Sequence, residues 1–533
     1  MQTHLIISPS AKDKQFPNVI AFDTEALRYS QTNSELQEFY NADFYNGSNH
    51  NTFNNIADIH IHLAAQLQEY NHITLIAHNA GYDIQILGLL EHIFKRNYLG
   101  LPLKIALLDS VKYIRFADKH KSLEIVDTFN FFHAKLSDMG KSLGLSKVDE
   151  SEYKLSPKEW NKQLAISGNA RVRQDTEILY NYFKKFTENK DFVKGISLAS
   201  TAFKTYKINY LKRVITMPIE HIDYALISYR GGRCEPYVIN QEPIYLKSYD
   251  VNSLYPYVMA KRKYSYKFHQ EVDKINYDAI ENENYNYLYN VDYSYAINGE
   301  EPIRLPIMIR AKNGKLVQSY TGKNVWLTGA EILAMYKQYD NILFNFRMGL
   351  EYHNDYLFTD FVDDFFAKRS ATNDLVDKVN YKILMNSLYG KFGQHKRFYQ
   401  FLSYDQIAEE LTPLINEARI NNQTRIKINN TTYTLHDIFV NSTVEMPRAQ
   451  MNNPIIAGEI TANARLHNFL IQSQMGFYHI FYTDTDSFFI DRDWTESQEL
   501  GKLKLEKKGM FVIRDAKDYY YKDDKGQIFS TQK

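Results

Sequence analysis

Residues 477–490, FYHIFYTDTDSFFI, alternate as an apolar strand, an acidic tip and a second apolar strand, the pattern of a β-hairpin with Asp484 and Asp486 at its turn. Two carboxylates this close are not held together cheaply without a cation, and hard oxygen ligands suit Mg²⁺. Taken alone, the run also fits a solvated acidic turn.

Two upstream segments carry matching chemistry. In YLKSYDVNSLYPYVMAKRKY (245–264) an apolar strand ends at Asp250, where a carboxylate could point at the same cations. A tight turn follows, holding Tyr255, and Pro256 helps to start a helix. The plain alternative is a strand-end Asp that caps the helix, with Tyr255 in the core. In KVNYKILMNSLYGKFG (378–393), Lys378, Lys382, Asn386 and Tyr389 recur at intervals of four, four and three residues and share one helical face. Two cations, an amide and an aromatic make a poor core stripe and a plausible cradle for a triphosphate and a base. A solvated face with Gly390 and Gly393 as stop signals has the same pattern.

The first 190 residues alternate strands and helices, which predicts an α/β unit. VIAFDTEA (19–26) is an apolar strand that sets Asp23 and Glu25 on one side. ITLIAHNAGYDIQILGLLEHIF (73–94) reads as a strand, a turn and an amphipathic helix opened by Asp83, and RVRQDTEILYNYFKKF (171–186) as a helix bearing Asp175. Four carboxylates from separated elements are the recipe for a two-metal nuclease. Each of them alone reads more simply as a cap or a surface residue.

A chain of 533 residues calls for more than one core. With 42 Tyr and 32 Phe it has rings enough for cores and for stacking on bases. A formal net charge of zero argues against coating DNA with a uniformly basic surface, so Lys and Arg must gather in grooves. Cys234 is the single cysteine, which excludes internal disulfides and Cys-rich zinc sites and fits a reducing compartment. The opening MQTHLIISPSAKDKQ lacks an export or transit pattern, and no run of 18 apolar residues occurs. The expected setting is cytoplasmic (host cytoplasm for a phage-encoded chain), with no membrane partner and a monomeric state.

In the order found, the three C-terminal segments resemble motifs A, B and C of the family B DNA polymerases. The resemblance implies a right-hand polymerase of palm, fingers and reduced thumb. Asp250 and Asp486 would hold two Mg²⁺ ions, or Mn²⁺ in their place, with Asp484 in support. Lys382, Lys378 and Lys368 would neutralise the triphosphate. Tyr255 would lie under the sugar and reject a 2′-hydroxyl, and Tyr389 and Asn386 would line the nucleotide pocket. SYRGG (228–232) is similar to the YxGG segment that contacts template, which assigns DNA binding to Tyr229, Gly231 and Gly232. KDY (517–519) resembles the KxY segment that grips the primer terminus through Lys517 and Tyr519, amid Lys502, Lys504, Lys507, Lys508, Arg514 and Lys522. A solvated charged terminus is the alternative there. ITANAR (460–465) is similar to a palm helix of the same enzymes.

The wording of these segments and two polar insertions resemble the protein-primed branch found in phages and linear plasmids. On that resemblance the first insertion meets a terminal priming protein, and the second closes around template and aids strand displacement. The expected division is a ribonuclease H-like exonuclease over 1–190, palm over 191–260, first insertion over 261–353, fingers over 354–393, second insertion over 394–450, palm again over 451–510 and a short thumb remnant over 511–533. The implied partners are primer–template DNA, deoxynucleotides and the priming protein. Asp23, Glu25, Asp83 and Asp175 resemble the Exo I, II and III residues of a 3′–5′ DEDD exonuclease that would bind two metal ions, and Asn79 resembles a single-strand contact. Exo III ordinarily has Tyr four residues before its Asp; here that position is Arg171, so either a nearby Tyr from another turn would substitute or the water would be oriented differently. Leu136 and Met139 loosely match a strand-binding segment, with Lys135 where Ser or Thr is usual, and Lys147 is a weak catalytic candidate. The competing readings are a nucleic-acid-primed family B polymerase, an exonuclease with a non-catalytic DNA-binding half, and a structural DNA-binding protein.

Overall fold

The computed structural model describes residues 4–531 apart from 32–33, 109–110, 146–154, 297–303, 312–313, 395, 403, 405–406, 422, 424, 429–430, 436–439 and 447–452; Lys147 lies outside the described residues. The first unit is built on an eight-stranded mixed sheet. The strand Val19–Gln31 pairs antiparallel with Ser34–Tyr45, which pairs with His50–Phe53. On its other side it runs parallel to His72–Ala77, and that strand runs parallel to Ser122–Asp127. Three antiparallel strands followed by two parallel ones is the ribonuclease H-like order, and the helix Ile56–Tyr70 makes the crossover that parallel pairing requires. Asn55 caps that helix, its side chain accepting the Ala57 N–H at 2.8 Å.

The helix Pro157–Glu188 crosses the strands Val19–Gln31 and Ser34–Tyr45. Ser156 and Glu159 form a capping box and Pro157 occupies the first turn, so the start is fixed locally. Its far end carries Tyr182, Phe183 and Phe186 into an aromatic seam with Phe131, Phe132 and Phe192, which continues to Phe361, Phe365 and Phe392 of the C-terminal half. Much of the unusual ring content is thus spent on packing, each buried Phe contributing roughly 1.5–3 kcal/mol of transfer free energy.

The C-terminal half centres on a seven-stranded antiparallel sheet in the order Cys234–Pro236, Ile480–Asp484, Ser487–Ile490, Ile244–Val251, Leu503–Asp515, Asp518–Asp523, Ile528–Thr531. The helices Leu254–Lys261 and Pro454–Met475 pack together, and Leu375–Phe392 lies against Thr359–Ala371. The hairpin expected over 477–490 matches these strands, and the helical face expected in 378–393 lies on Leu375–Phe392.

Between the two halves of this sheet, the first polar insertion forms a four-stranded sheet of long strands, Tyr264–Val272, Ile342–Asp355, Asn286–Tyr295 and Thr321–Thr328. A second inserted sheet joins Lys396–Leu402, Val440–Met446, Thr431–Leu435 and Arg425–Ile428. Residues from 503 onward continue the seven-stranded sheet as three further strands. Among the described residues no helix is long and apolar enough to cross a membrane.

Candidate active sites

The hairpin closes over two residues, Thr485 and Asp486, with Asp484 opposite Ser487. Thr485 has φ +59°, a left-handed conformation that costs a β-branched residue on the order of 1–3 kcal/mol. Its neighbours hold it there. The Thr485 N–H donates to the Arg233 carbonyl at 2.6 Å, and the side-chain amide of Asn468 donates to the Thr485 carbonyl. Gly232 leaves room for this turn, since a Cβ there would sit 2.6 Å from Cγ2 of Thr485.

The strand Ile244–Val251 brings Asp250 alongside. Asp250 stands opposite Ser487 on one neighbour and Lys504 on the other, and the Val251 N–H donates to the Asp486 carbonyl at 2.8 Å. The two carboxylates feel each other. Burial first, then Asp486 and Glu506, pushes Asp250 up to about 7 against the pull of Lys382 and Lys504. Burial pushes Asp486 up to about 6, with Asp484 and Glu506 adding to it while its own N–H and Lys382 oppose.

Glu506 carries no signal in the sequence, where KLKLEKKG (502–509) supplies lysines of the basic cluster around KDY. It is the extra residue at a register shift between Ser248 and Tyr249, a bulge that re-aims it beside Asp250. Lys517, in the turn after Leu503–Asp515, places its Nζ 3.5 Å from Oδ1 of Asp484. Tyr519 packs on Tyr482 and Phe489 at 5.6 and 5.0 Å.

The helix Leu375–Phe392 brings Lys382 within electrostatic reach of Asp250 and Asp486. Lys378 lies one turn earlier, and the Asn386 side chain donates to the Lys382 carbonyl at 2.8 Å. Tyr389 stacks on Tyr255 with centroids 4.2 Å apart and an interplanar angle of 25°. Tyr229 fills the space that a side chain at Gly393 would need, its Cε1 2.6 Å from the Cβ position, while Gly231 is open. Lys368 is held elsewhere, by Asp364 at 2.9 Å and Asp191 at 3.1 Å. The cation that reaches the Asp250 turn from that helix is Arg369, which donates to Ser253 Oγ at 3.0 Å.

In the first unit, Asp83 lies beside the strand of Asp23 and Glu25. Its Oδ1 accepts the Thr24 N–H at 3.0 Å and the Thr24 hydroxyl at 2.7 Å. Burial raises the Asp83 carboxyl well above the usual range despite these donors. Asn79, left-handed at φ +62°, donates its N–H to Asp127 at 2.8 Å and turns the chain into the helix of Asp83. Asp175 is buried on the long helix, one turn beyond Arg171, whose Nε donates to Glu25 Oε1 at 2.5 Å. Tyr82 has its hydroxyl pKa raised by burial first and then by Glu25, Asp83 and Asp23, with Arg28 opposing, so the phenol lies within electrostatic reach of three of the four carboxylates. Asp43 stands opposite Asp23 in the ladder, but His50, Thr52 and Thr176 occupy its oxygens at 2.7, 2.8 and 2.7 Å. Met139 is fully buried and packs in the core.

Among the described residues no group of three or more His, Cys, Asp or Glu side chains is arranged to hold a metal ion. The raised values of Asp250 and Asp486 come from burial first and from neighbouring carboxylates second.

Relatives are found among polymerases. The chain is 26% identical over 356 residues to a "Probable DNA polymerase" of Neurospora intermedia, covering 62% of this chain and 34% of that protein. It is 30% identical over 178 residues to the "DNA-directed DNA polymerase" of Enterobacteria phage PRD1, covering 32% of this chain and 29% of that one. The matched segments span about a third of the length of these curated relatives. The fold is similar to that of Phi29 DNA polymerase complexed with primer–template DNA and incoming nucleotide, with a TM-score of 0.67 over 97% of this chain and 89% of that one, at 16% identity. Residues 171–468, more than half of the chain, match the sequence model of DNA polymerase type B, organellar and viral, and the chain belongs to that family.

Proposed function

We propose that this chain is a template-directed DNA polymerase, with a separate 3′–5′ exonuclease in its first unit. The observation that carries the reading is the hydrogen bond from Val251 to Asp486, which sets Asp250 and Asp486 side by side under Lys382. Asp250 and Asp486 would hold divalent metal, with Asp484 and Glu506 adding negative charge. Two Mg²⁺ ions held there would supply activation of an attacking oxygen and neutralisation of a leaving pyrophosphate. The chain's own residues bind and orient. Lys382 and Lys378 meet the triphosphate, where positioning and charge provide most of the catalysis. Tyr255, backed by Tyr389, lies under the sugar. Lys517 and Tyr519 take the primer end, and Tyr229 with the open Gly231 takes the template. In the first unit Asp23, Glu25, Asp83 and Asp175 would hold the metal, Asn79 the single strand, and Tyr82 supplies the phenol that Arg171 does not.

We further propose that synthesis is protein-primed and that the first insertion receives the priming protein. The likeness to the PRD1 and Phi29 polymerases supports this, as do two inserted sheets flanking the helices Thr359–Ala371 and Leu375–Phe392.

The test is extension of a hooked primer–template with labelled dATP and Mg²⁺, with and without a candidate priming protein. Asp486→Asn is expected to abolish extension and keep single-strand degradation, and Asp23→Ala with Glu25→Ala to do the reverse. Extension by Asp486→Asn at the parental rate would overturn the polymerase site. Label transferred to the protein partner supports protein priming; extension of the hooked primer with no such transfer supports a nucleic-acid primer.

A further inference from the structure

Arg233 is buried where the SYRGG segment, the first insertion and the Asp484–Asp486 turn meet. Its guanidinium donates to the Leu305 carbonyl at 2.8 Å and to Oε1 of Gln318 at 2.8 Å, both in the first insertion, and to Glu235 at 2.8 Å. Oε1 of Gln318 also accepts the Leu305 N–H at 3.1 Å, so one amide oxygen ties the two together. The Arg233 carbonyl accepts the Thr485 N–H, and the strand that follows it pairs Cys234 with Asp484.

The neighbouring residue of the insertion repeats the pattern. Arg304 donates to the Phe477 carbonyl at 2.6 Å and the Ile480 carbonyl at 3.2 Å, at the root of the same hairpin, and lies 3.5 Å from the Tyr237 ring centroid. A second buried node links the insertion to the same loop. Arg465 donates to Glu331 at 2.8 Å and to the carbonyls of Arg230 and Gly231 at 2.7 and 2.9 Å.

We infer that Arg233 is a positioning residue through which the first insertion holds the Asp484–Asp486 turn in place. A Thr forced into the left-handed region needs its N–H fixed from outside, and Arg233 is the residue that fixes it. Arg233 is in turn fixed by the insertion, because a guanidinium fork binds several acceptors in one geometry. The insertion is therefore a support for the carboxylate pair as well as a surface. A shift in how it seats, for example when a partner protein binds it, reaches Thr485 through two hydrogen-bonded residues. The inference rests on Asp250 and Asp486 being the metal-binding pair.

The experiment measures the Mg²⁺ concentration for half-maximal single-turnover extension of the hooked primer–template with dATP, with thermal melting of each full-length variant. Gln318→Leu removes the shared acceptor and is expected to raise that concentration about tenfold, the usual effect of losing a residue behind a metal ligand. Gln318→Glu keeps an oxygen facing Arg233 and is expected to restore the parental value. Gln318→Leu with a parental melt and a parental Mg²⁺ requirement overturns the inference. If Gln318→Leu melts early, Arg233→Lys decides on the same readout, since it keeps the charge and main chain and loses the fork. Asp486→Asn run in parallel separates the two ideas: active, it removes the carboxylate pair itself; inactive beside an unaffected Gln318→Leu, it leaves the pair and removes only the role of Arg233.

Discussion

Arg171 and Glu25 form a buried ion pair at 2.5 Å, with the guanidinium carbon 5.0 Å from the ring centroid of Trp160. The pair offsets one of the negative charges that Asp23, Glu25, Asp83 and Asp175 gather in the first unit. Arg171→Met keeps an apolar stem but removes that offset, and breaking a buried pair costs on the order of 3 kcal/mol. The variant is expected to melt earlier in EDTA. Mg²⁺ should then stabilise it more than it stabilises the parent, because the ion no longer competes with a guanidinium for Glu25. Melts across a Mg²⁺ titration check this; equal gains in the two proteins would mean that Arg171 and metal do not compete.

Asp250 and Asp486 hold protons at higher pH than ordinary carboxylates, with values of about 7 and about 6, through burial first, then Asp486 and Glu506 at Asp250 and Asp484 and Glu506 at Asp486. The folded chain therefore binds protons that the unfolded chain releases near pH 4. This contribution to stability is complete below that point and is lost as pH rises through 6 to 7. Asp250→Asn removes the cost of the ionised form. In metal-free buffer it should stabilise the protein by about 1–3 kcal/mol at pH 8 and hardly at all at pH 4. The parent should also need more Mg²⁺ for extension at pH 6 than at pH 8, since metal binding must displace protons. A gain from Asp250→Asn that is equal at both pH values would exclude titration as its cause.

Glu506 offers a test of the bulge. It is exposed on the strand Leu503–Asp515, so Glu506→Gln is expected to change stability by less than about 0.5 kcal/mol. It removes a negative charge that raises Asp250, so the pH at which extension rises should move down. At limiting Mg²⁺ the rate should fall about tenfold, as when a residue behind a metal ligand is lost. A parental pH profile and Mg²⁺ requirement would show that Glu506 faces away from the pair in the working protein.

How much of this was readable beforehand follows from the range of each cause. The hairpin of Asp484 and Asp486 and the face of Lys378, Lys382, Asn386 and Tyr389 are set by local alternation, and the elements lie where the spacing puts them. Glu506 was hidden because a bulge depends on the partner strand, and nothing in LKLEKKG marks it. Lys368 and Arg369 are adjacent on one helix, and only its packing decides that Lys368 meets Asp191 while Arg369 meets Ser253. Arg171 was visible as a departure from the exonuclease pattern, but its bond to Glu25 spans 146 residues. The long strands of the first insertion were obscured by their Tyr- and Asn-rich composition, whose tyrosines Tyr287, Tyr289 and Tyr293 are core, and the strands from 503 onward by the many charges among their residues.

Tyr255 sits in the first turn of the helix Leu254–Lys261, behind the left-handed Ser253 at φ +54°, and its ring is backed by Tyr389 at 4.2 Å. Arg369 anchors the turn by donating to Ser253 Oγ at 3.0 Å. A ring held at its base and along its face cannot yield to an added hydroxyl, so its volume, not its own hydroxyl, should exclude a 2′-OH. Tyr255→Val removes that volume and leaves Tyr389 in place. The ratio of kcat/KM for dATP over ATP should fall at least about tenfold, the scale on which small groups are discriminated by shape. Tyr255→Phe should keep the parental ratio despite losing its contact with the Tyr389 hydroxyl. If Tyr255→Val rejects ATP as strongly as the parent, the steric barrier belongs to another side chain, and Tyr389→Val on the same assay identifies whether it is the ring behind.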